Sequence, residues 1–179
     1  MFCNQSFLCL SFYQYFYCMF SFLNKRFLLF ILTCSACLFF SCRQIDIYEK
    51  NTQFKNHEWN SAVPAEGHFV IDDTLAYYNI YIVLRHTDAY KYNNIWINVG
   101  LQAPGDSIFF QKVNLSLGDD ANGWEGSGMN DIWEVRKSLN TQACRFRKKG
   151  QYYFKLVNIM RDDPLQHVMS AGLRVEKAP

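Results

Sequence analysis

Tyr78-Asn79-Ile80-Tyr81-Ile82-Val83-Leu84-Arg85 alternates strictly, with Tyr78, Ile80, Ile82 and Leu84 on one side and Asn79, Tyr81, Val83 and Arg85 on the other. A repeat of two is the signature of a β-strand, whose successive side chains point to opposite faces. Tyr81 and Val83 make the second face partly apolar as well, which predicts a central strand of a sandwich. The same period extends outward on both sides. Phe69 and Ile71 alternate ahead of the turn signal Asp72-Asp73. Downstream, Ile95, Ile97, Val99 and Leu101 share a face, with Trp96 and Asn98 opposite, before the turn Pro104-Gly105-Asp106. Phe109, Gln111, Val113 and Leu115 repeat the pattern, as do Tyr152, Phe154, Leu156 and Asn158, and finally Leu173 and Val175. Residues 143–146 read as a further short strand and 132–135 as a short apolar segment of undecided type. Asp162-Asp163-Pro164 stops any continuing element. Seven or eight closely spaced strands without a helical period predict an all-β fold, an antiparallel β-sandwich of jelly-roll or immunoglobulin-like type.

The beginning of the chain follows another rule. Lys25-Arg26 precede an apolar run over 27–40, which ends in Ser41-Cys42. A positive pair, a short apolar run and a small residue form an export signal, and the run is shorter than the ~20 residues a membrane-spanning helix needs. Ser41-Cys42 resembles a bacterial lipobox, with Phe39 where Leu is usual, so the expectation is cleavage before a lipidated Cys42. Ala36-Cys37 is a second possible cleavage point, and an uncleaved signal anchor is the alternative. Residues 1–18 carry no charge and serve no part of a signal, whereas Met19 opens a normal positive region. The expected organisation is therefore a mis-assigned extension at 1–18, a lipoprotein signal peptide at 19–41, a tether at 42–56 and a β-sandwich domain at 57–179. A flexible tether of that length spans roughly 20 Å. Ile45, Ile47, Tyr48 and Phe54 are equally compatible with an edge strand or a packing arm.

Removing 41 residues from 179 leaves 138, a comfortable single domain. The chain has 18 basic and 16 acidic residues; Lys25 and Arg26 leave with the signal, so the remainder has 16 of each and is nominally neutral. Neutrality argues against nucleic acid as a partner, since that demands a basic stripe. Of seven cysteines only Cys42 and Cys144 follow the signal, so no disulfide framework is available. Cys144 alternates with Phe146 and reads as a small core residue.

Tests for chemistry return little. Asp119, Asp120, Asn122 and Gly123 resemble a fragment of a calcium loop, but Glu125 arrives too early to be its bidentate ligand, and a glycine-rich turn capped by Trp124 is the simpler reading. Gly126-Ser127-Gly128 lacks the spacing of a nucleophile elbow. His57, His68, His86 and His167 show no metal-ligand spacing, so no metal and no cofactor is expected. Aromatic residues are the remaining signal. Trp59, Trp96, Trp124 and Trp133, with Tyr77, Tyr81, Tyr90 and Tyr92, either pack between two sheets or form a surface patch. Trp124, Trp96 and Trp59 are the candidate contacts to a protein partner or a glycan.

A longer series carries a family resemblance. Cys42 is followed by Ile47-Tyr48-Glu49-Lys50, Trp59, Tyr78-Asn79-Ile80, Arg85, Tyr90 and Asn94-Ile95-Trp96. Then come Pro104, Gly123-Trp124-Glu125-Gly126-Ser127-Gly128, Phe146, Gly150-Gln151-Tyr152, Met160-Arg161, Leu165 and Gly172-Leu173-Arg174-Val175. In this order the set resembles the gliding motility lipoprotein GldH family of the Bacteroidetes, over essentially all of the chain after the signal. The resemblance implies a membrane lipoprotein of the gliding apparatus, linked to type IX secretion, and not an enzyme. It implies protein partners, no small-molecule substrate, and no site residue beyond the lipidated Cys42. Relatives in bacteria that do not glide imply a part in envelope assembly or export. Surface-exported lipoproteins of this phylum tend to carry acids just after the cysteine. Arg43-Gln44-Ile45-Asp46 has one, so the domain is expected to face the periplasm from a cell-envelope membrane, the outer membrane being favoured. A periplasmic sandwich holding peptidoglycan on its aromatics is the alternative.

Overall fold

In β4 (Tyr78–Thr87) the inward side chains Ile80, Ile82 and Leu84 are buried, as the alternation demands, and outward Val83 is buried too. The computed structural model describes residues 47–178, all of one compact unit. The expected extension 1–18, the expected signal 19–41 and Cys42 lie outside the described residues. Both a tether and an edge strand suit the sequence of 42–56, and Ile47–Gln53 form a strand, β1. Trp59, next in sequence, closes β2 (Glu58–Trp59). The remaining strands are β3 (Ala65–Ile71), β5 (Asn94–Gln102), β6 (Phe109–Ser116), β7 (Gly118–Asp119), β8 (Gly123–Trp124), β9 (Ser127–Met129), β10 (Ile132–Ser138), β11 (Gly150–Asn158), β12 (Leu165–Gln166) and β13 (Val168–Lys177). Among the described residues the only helical element is a 3-10 turn at Lys55–His57.

The strands pair antiparallel in two main sheets, ordered β1-β13-β4-β10-β9 and β3-β11-β5-β6, with small ribbons β12-β2 and β7-β8. β4 therefore lies at the centre of the five-stranded sheet, flanked by β13 and β10. Register puts Val175, Leu173 and Ala171 beside Ile80, Ile82 and Leu84. Phe69, Ile71, Ile95, Ile97, Val99, Tyr152, Phe154 and Leu156 answer from the other sheet and complete one core. The chain is an antiparallel β-sandwich. Its outer face on the five-stranded sheet is ionic: Arg174 reaches Glu49 at 2.9 Å and Glu176 at 3.0 Å, while Glu134 takes Arg85 at 2.7 Å and Arg136 at 2.8 Å. Backbones come very close where β1 meets β13. A Cβ on Gly172 would overlap the Lys50 carbonyl and the Asn51 side chain, so only glycine lets β1 approach there.

Residues 143–146 depart from the sequence expectation. Cys144 makes one isolated bridge to Tyr78, and the segment is otherwise irregular. Cys144 exchanges both backbone bonds with Tyr78, and beside it Asn140 Oδ1 accepts from the Ile80 N–H at 2.9 Å while its Nδ2 shares the Tyr78 carbonyl at 3.1 Å. A side chain thus satisfies a backbone N–H that a strand would otherwise have to meet. Phe146 still packs inward against Tyr78, Phe69 and Tyr152. The segment 132–135 resolves as the start of β10.

Candidate functional site

The aromatic residues concentrate at the end of the sandwich where β4 finishes and β5 begins. His86 continues the inward series Ile80, Ile82, Leu84 and is fully buried. Its Nδ1 lies 3.0 Å from the Thr87 carbonyl and so carries the proton, leaving Nε2 without a hydrogen-bond partner. Burial holds His86 below its ordinary pKa, against smaller upward pulls from the Thr87 carbonyl and Asp88. Its ring sits edge-on to Trp124, 4.6 Å between centroids, and 5.5 Å from Tyr90. Tyr90, also buried, donates to the Asn94 carbonyl at 3.0 Å, and burial raises its phenol strongly.

Trp124 is held over His86 by the β7–β8 ribbon. Asp119 Oδ1 accepts the N–H groups of Ala121 at 2.8 Å and Asn122 at 2.7 Å, closing the turn, and Gly123 adopts φ +77° to bring Trp124 back. The Asn122 side-chain amide, together with these backbone N–H groups, holds the Asp119 carboxyl below its usual range. Asp119 and Asn122 act here as turn residues. Trp133 closes the flank by donating from its indole N–H to Asp88. Among the described residues no group of three or more His, Cys, Asp or Glu side chains is placed to hold a metal ion. None of the hydrogen bonds to His86 comes from a carboxylate, hydroxyl or thiol. Cys144 lies at the opposite end, where burial raises its thiol.

The three tryptophans singled out from the sequence do not come together. Trp59 is a core residue and not a surface contact: it is 0% exposed, stacks on Phe54 at 4.9 Å and donates from Nε1 to the Val63 carbonyl at 3.1 Å. The reason is the β2–β12 ribbon, which pairs Trp59 with buried Leu165, while Asn158 donates to the Trp59 carbonyl at 3.2 Å. Trp124 is half-buried against His86. Trp96 is 43% exposed on the outer face of the four-stranded sheet, with Ile159 alongside, whose N–H donates to the Trp96 carbonyl at 3.1 Å. The lipidation candidate Cys42 is outside the described residues. Sequence reasoning missed His86, although its two-residue offset from Leu84 was the available signal.

Comparison with known proteins locates this geometry. The profile of the GldH lipoprotein family matches residues 46–175, which is nearly the whole sandwich. The gliding motility lipoprotein GldH of Flavobacterium johnsoniae is 23% identical over 154 residues, covering 82% of this chain and 94% of that protein. No solved structure gives a significant match.

Proposed function

Because the chain belongs to the GldH lipoprotein family, we propose that it is a lipid-anchored, non-catalytic component of the gliding motility or type IX secretion-linked envelope machinery. The lipid is carried on Cys42, and the sandwich faces the periplasm from the outer membrane. The observation that carries this reading is the family match across the folded domain, joined to the apolar run that ends at Ser41-Cys42. No helix among the described residues is long and apolar enough to cross a membrane.

The test is a chromosomal deletion complemented with wild type or Cys42→Ala, read as colony spreading and as type IX cargo in the medium. Loss of both, restored by wild type alone, is the expected result. No change in either, in a strain that has the apparatus, would overturn the reading. A glycan-binding module is the second reading, favoured by the exposed Trp96 beside Ile159. It requires that soluble peptidoglycan fragments bind the domain and that Trp96→Ala abolish binding.

A further inference from the structure

β1 enters the sandwich at one end, and that end has a distinct surface. Ile47 pairs with Glu176, which pairs with Asn79, so the entry point lies beside the β3–β4 turn. The turns at 72–77 and 103–108 and the irregular segment 139–149 gather here. Lys177 binds Asp73 at 2.8 Å, Arg145 sits over the Tyr77 ring at 4.4 Å, and Lys148 binds Asp106 at 2.6 Å. Asp73 Oδ1 accepts the N–H groups of Leu75 at 2.9 Å and Ala76 at 3.2 Å, which fixes Leu75 at the tip of its turn. Leu75 is 77% exposed, Phe109 71% and Tyr77 49%.

Basic residues surround these apolar tips. Arg145, Arg147, Lys148, Lys149 and Lys177 stand against Asp72, Asp73, Asp106 and Glu176, five cations to four carboxylates, with Glu176 turned to Arg174 on the outer face. Among the described residues Arg147 has no ion-pair partner, and the pairs made by Lys148 and Lys149 are solvent-exposed, of the kind that exchanges readily for another anion. Apolar tips with an aromatic ring and flanking cations are what an anionic bilayer surface binds.

The covalent connection supplies the occupant. Cys42 and Ile47 are five residues apart, a reach of at most about 18 Å. The ten residues of β4 alone run roughly 33 Å along the sandwich. A lipid on Cys42 therefore keeps the β1 entry end near the bilayer, while the Trp124 end can stand well away. We propose that this end is a membrane-docking face, on which Leu75, Tyr77 and Phe109 enter the headgroup region of an anionic leaflet and Arg145, Arg147, Lys148 and Lys149 bind its phosphates. The inference rests on the lipid-anchor reading, and its test separates the two.

The mature acylated protein, in a Cys144→Ala background, would carry an environment-sensitive dye at Leu75→Cys or, at the opposite end, at exposed Met129→Cys. It would be reconstituted in vesicles of phosphatidylcholine, with or without an equal share of phosphatidylglycerol. The expected result is a blue shift at 75, with several-fold stronger quenching by brominated lipid than at 129, both weakened in pure phosphatidylcholine. Equal signals at the two ends would overturn the docking face, and so would a shift at 75 that appears only in native envelopes, which would point to a protein there. An effect independent of phosphatidylglycerol would remove the cationic half. Mass analysis of the Cys42 peptide tests the anchor by itself. If it is unmodified, the anchor reading fails, and the same dye measurement on a Cys42→Ser chain with added vesicles still decides the docking face.

Discussion

Replacing Trp59 by alanine separates the core role given by the structure from the contact role that the sequence allows. The side chain has no exposed surface, lies flat on Phe54 with a 14° angle between rings, and bonds Val63 through its indole N–H. Truncating a buried Trp to Ala costs about 3–5 kcal/mol, from lost transfer energy and the cavity left behind. Unfolding entropy of about 2.1 cal/mol/K per residue over roughly 130 ordered residues is ~0.27 kcal/mol/K, so the midpoint should fall by roughly 10–20 °C. Trp59→Phe keeps the stack and loses the part-buried bond to the Val63 carbonyl, at about 1–2 kcal/mol including the smaller volume. Trp96→Ala, on the outer face, should cost under about 1 kcal/mol. The assay is urea unfolding of residues 43–179 followed by circular dichroism, since removing a tryptophan alters fluorescence itself. A Trp59→Ala cost below about 1 kcal/mol, or one equal to that of Trp96→Ala, would refute the packing argument.

Two further perturbations follow from the same contacts. Gly172→Ala places a Cβ against the Lys50 carbonyl and Asn51, so β1 must shift off β13; the expected cost is about 1–3 kcal/mol, with faster amide exchange confined to 47–53. Unchanged exchange in that strand would refute it. His86 is held neutral in the folded state with its pKa below 6.5, while the unfolded chain binds a proton there. Its contribution to stability is therefore complete above pH 6.5 and is lost as pH falls through the lowered folded value, by at most about 1.4 kcal/mol per pH unit. His86→Phe should flatten the stability profile just below 6.5 while leaving the fall below about 4.5, where Glu49 and Glu134 protonate. Burial pushes both of those carboxyls up, and their arginine hydrogen bonds more than reverse it. An unaltered slope in His86→Phe just below pH 6.5 would refute the assignment.

The strands that could be read in advance are those whose neighbours are strands of the same kind. β4, β5, β11 and β13 bury one face against the opposite sheet, so their period of two is imposed by the core and shows in every second residue. β1 shows no such pattern. It is an edge strand with Tyr48 turned into the core and Glu49 turned to Arg174, and its place is set by a partner more than a hundred residues away. The short segment around Trp59 gave no periodic signal because its burial comes from a two-residue ribbon with β12. Residues 143–146 carry a strand-like pattern, but only Cys144 pairs, with Tyr78; at Ile80 the N–H is met by the Asn140 side chain and the carbonyl by the Leu139 N–H. His86 was legible by parity and hidden by residue type, because histidine is seldom assigned to a core so close to the end of its strand.

The pairing of the first strand with the last has a mechanical consequence under the lipid-anchor reading. β1 meets β13 over seven consecutive register positions, from Ile47 opposite Glu176 to Gln53 opposite Ser170. A pull transmitted from the membrane enters at Ile47 and runs along β1. If the load is borne at the far, Trp124 end, the ladder is sheared along its length, so its hydrogen bonds resist together. A strand pulled at right angles would instead lose them one at a time. The close approach that Gly172 permits keeps this ladder continuous through its middle, and the Glu49–Arg174–Glu176 ion pairs cross it on the outer face. An edge strand is ordinarily the weakest part of a sheet. Here it is the part through which a lipid anchor would hold the domain, and the close approach at Gly172 and the Arg174 ion pairs lie along that path.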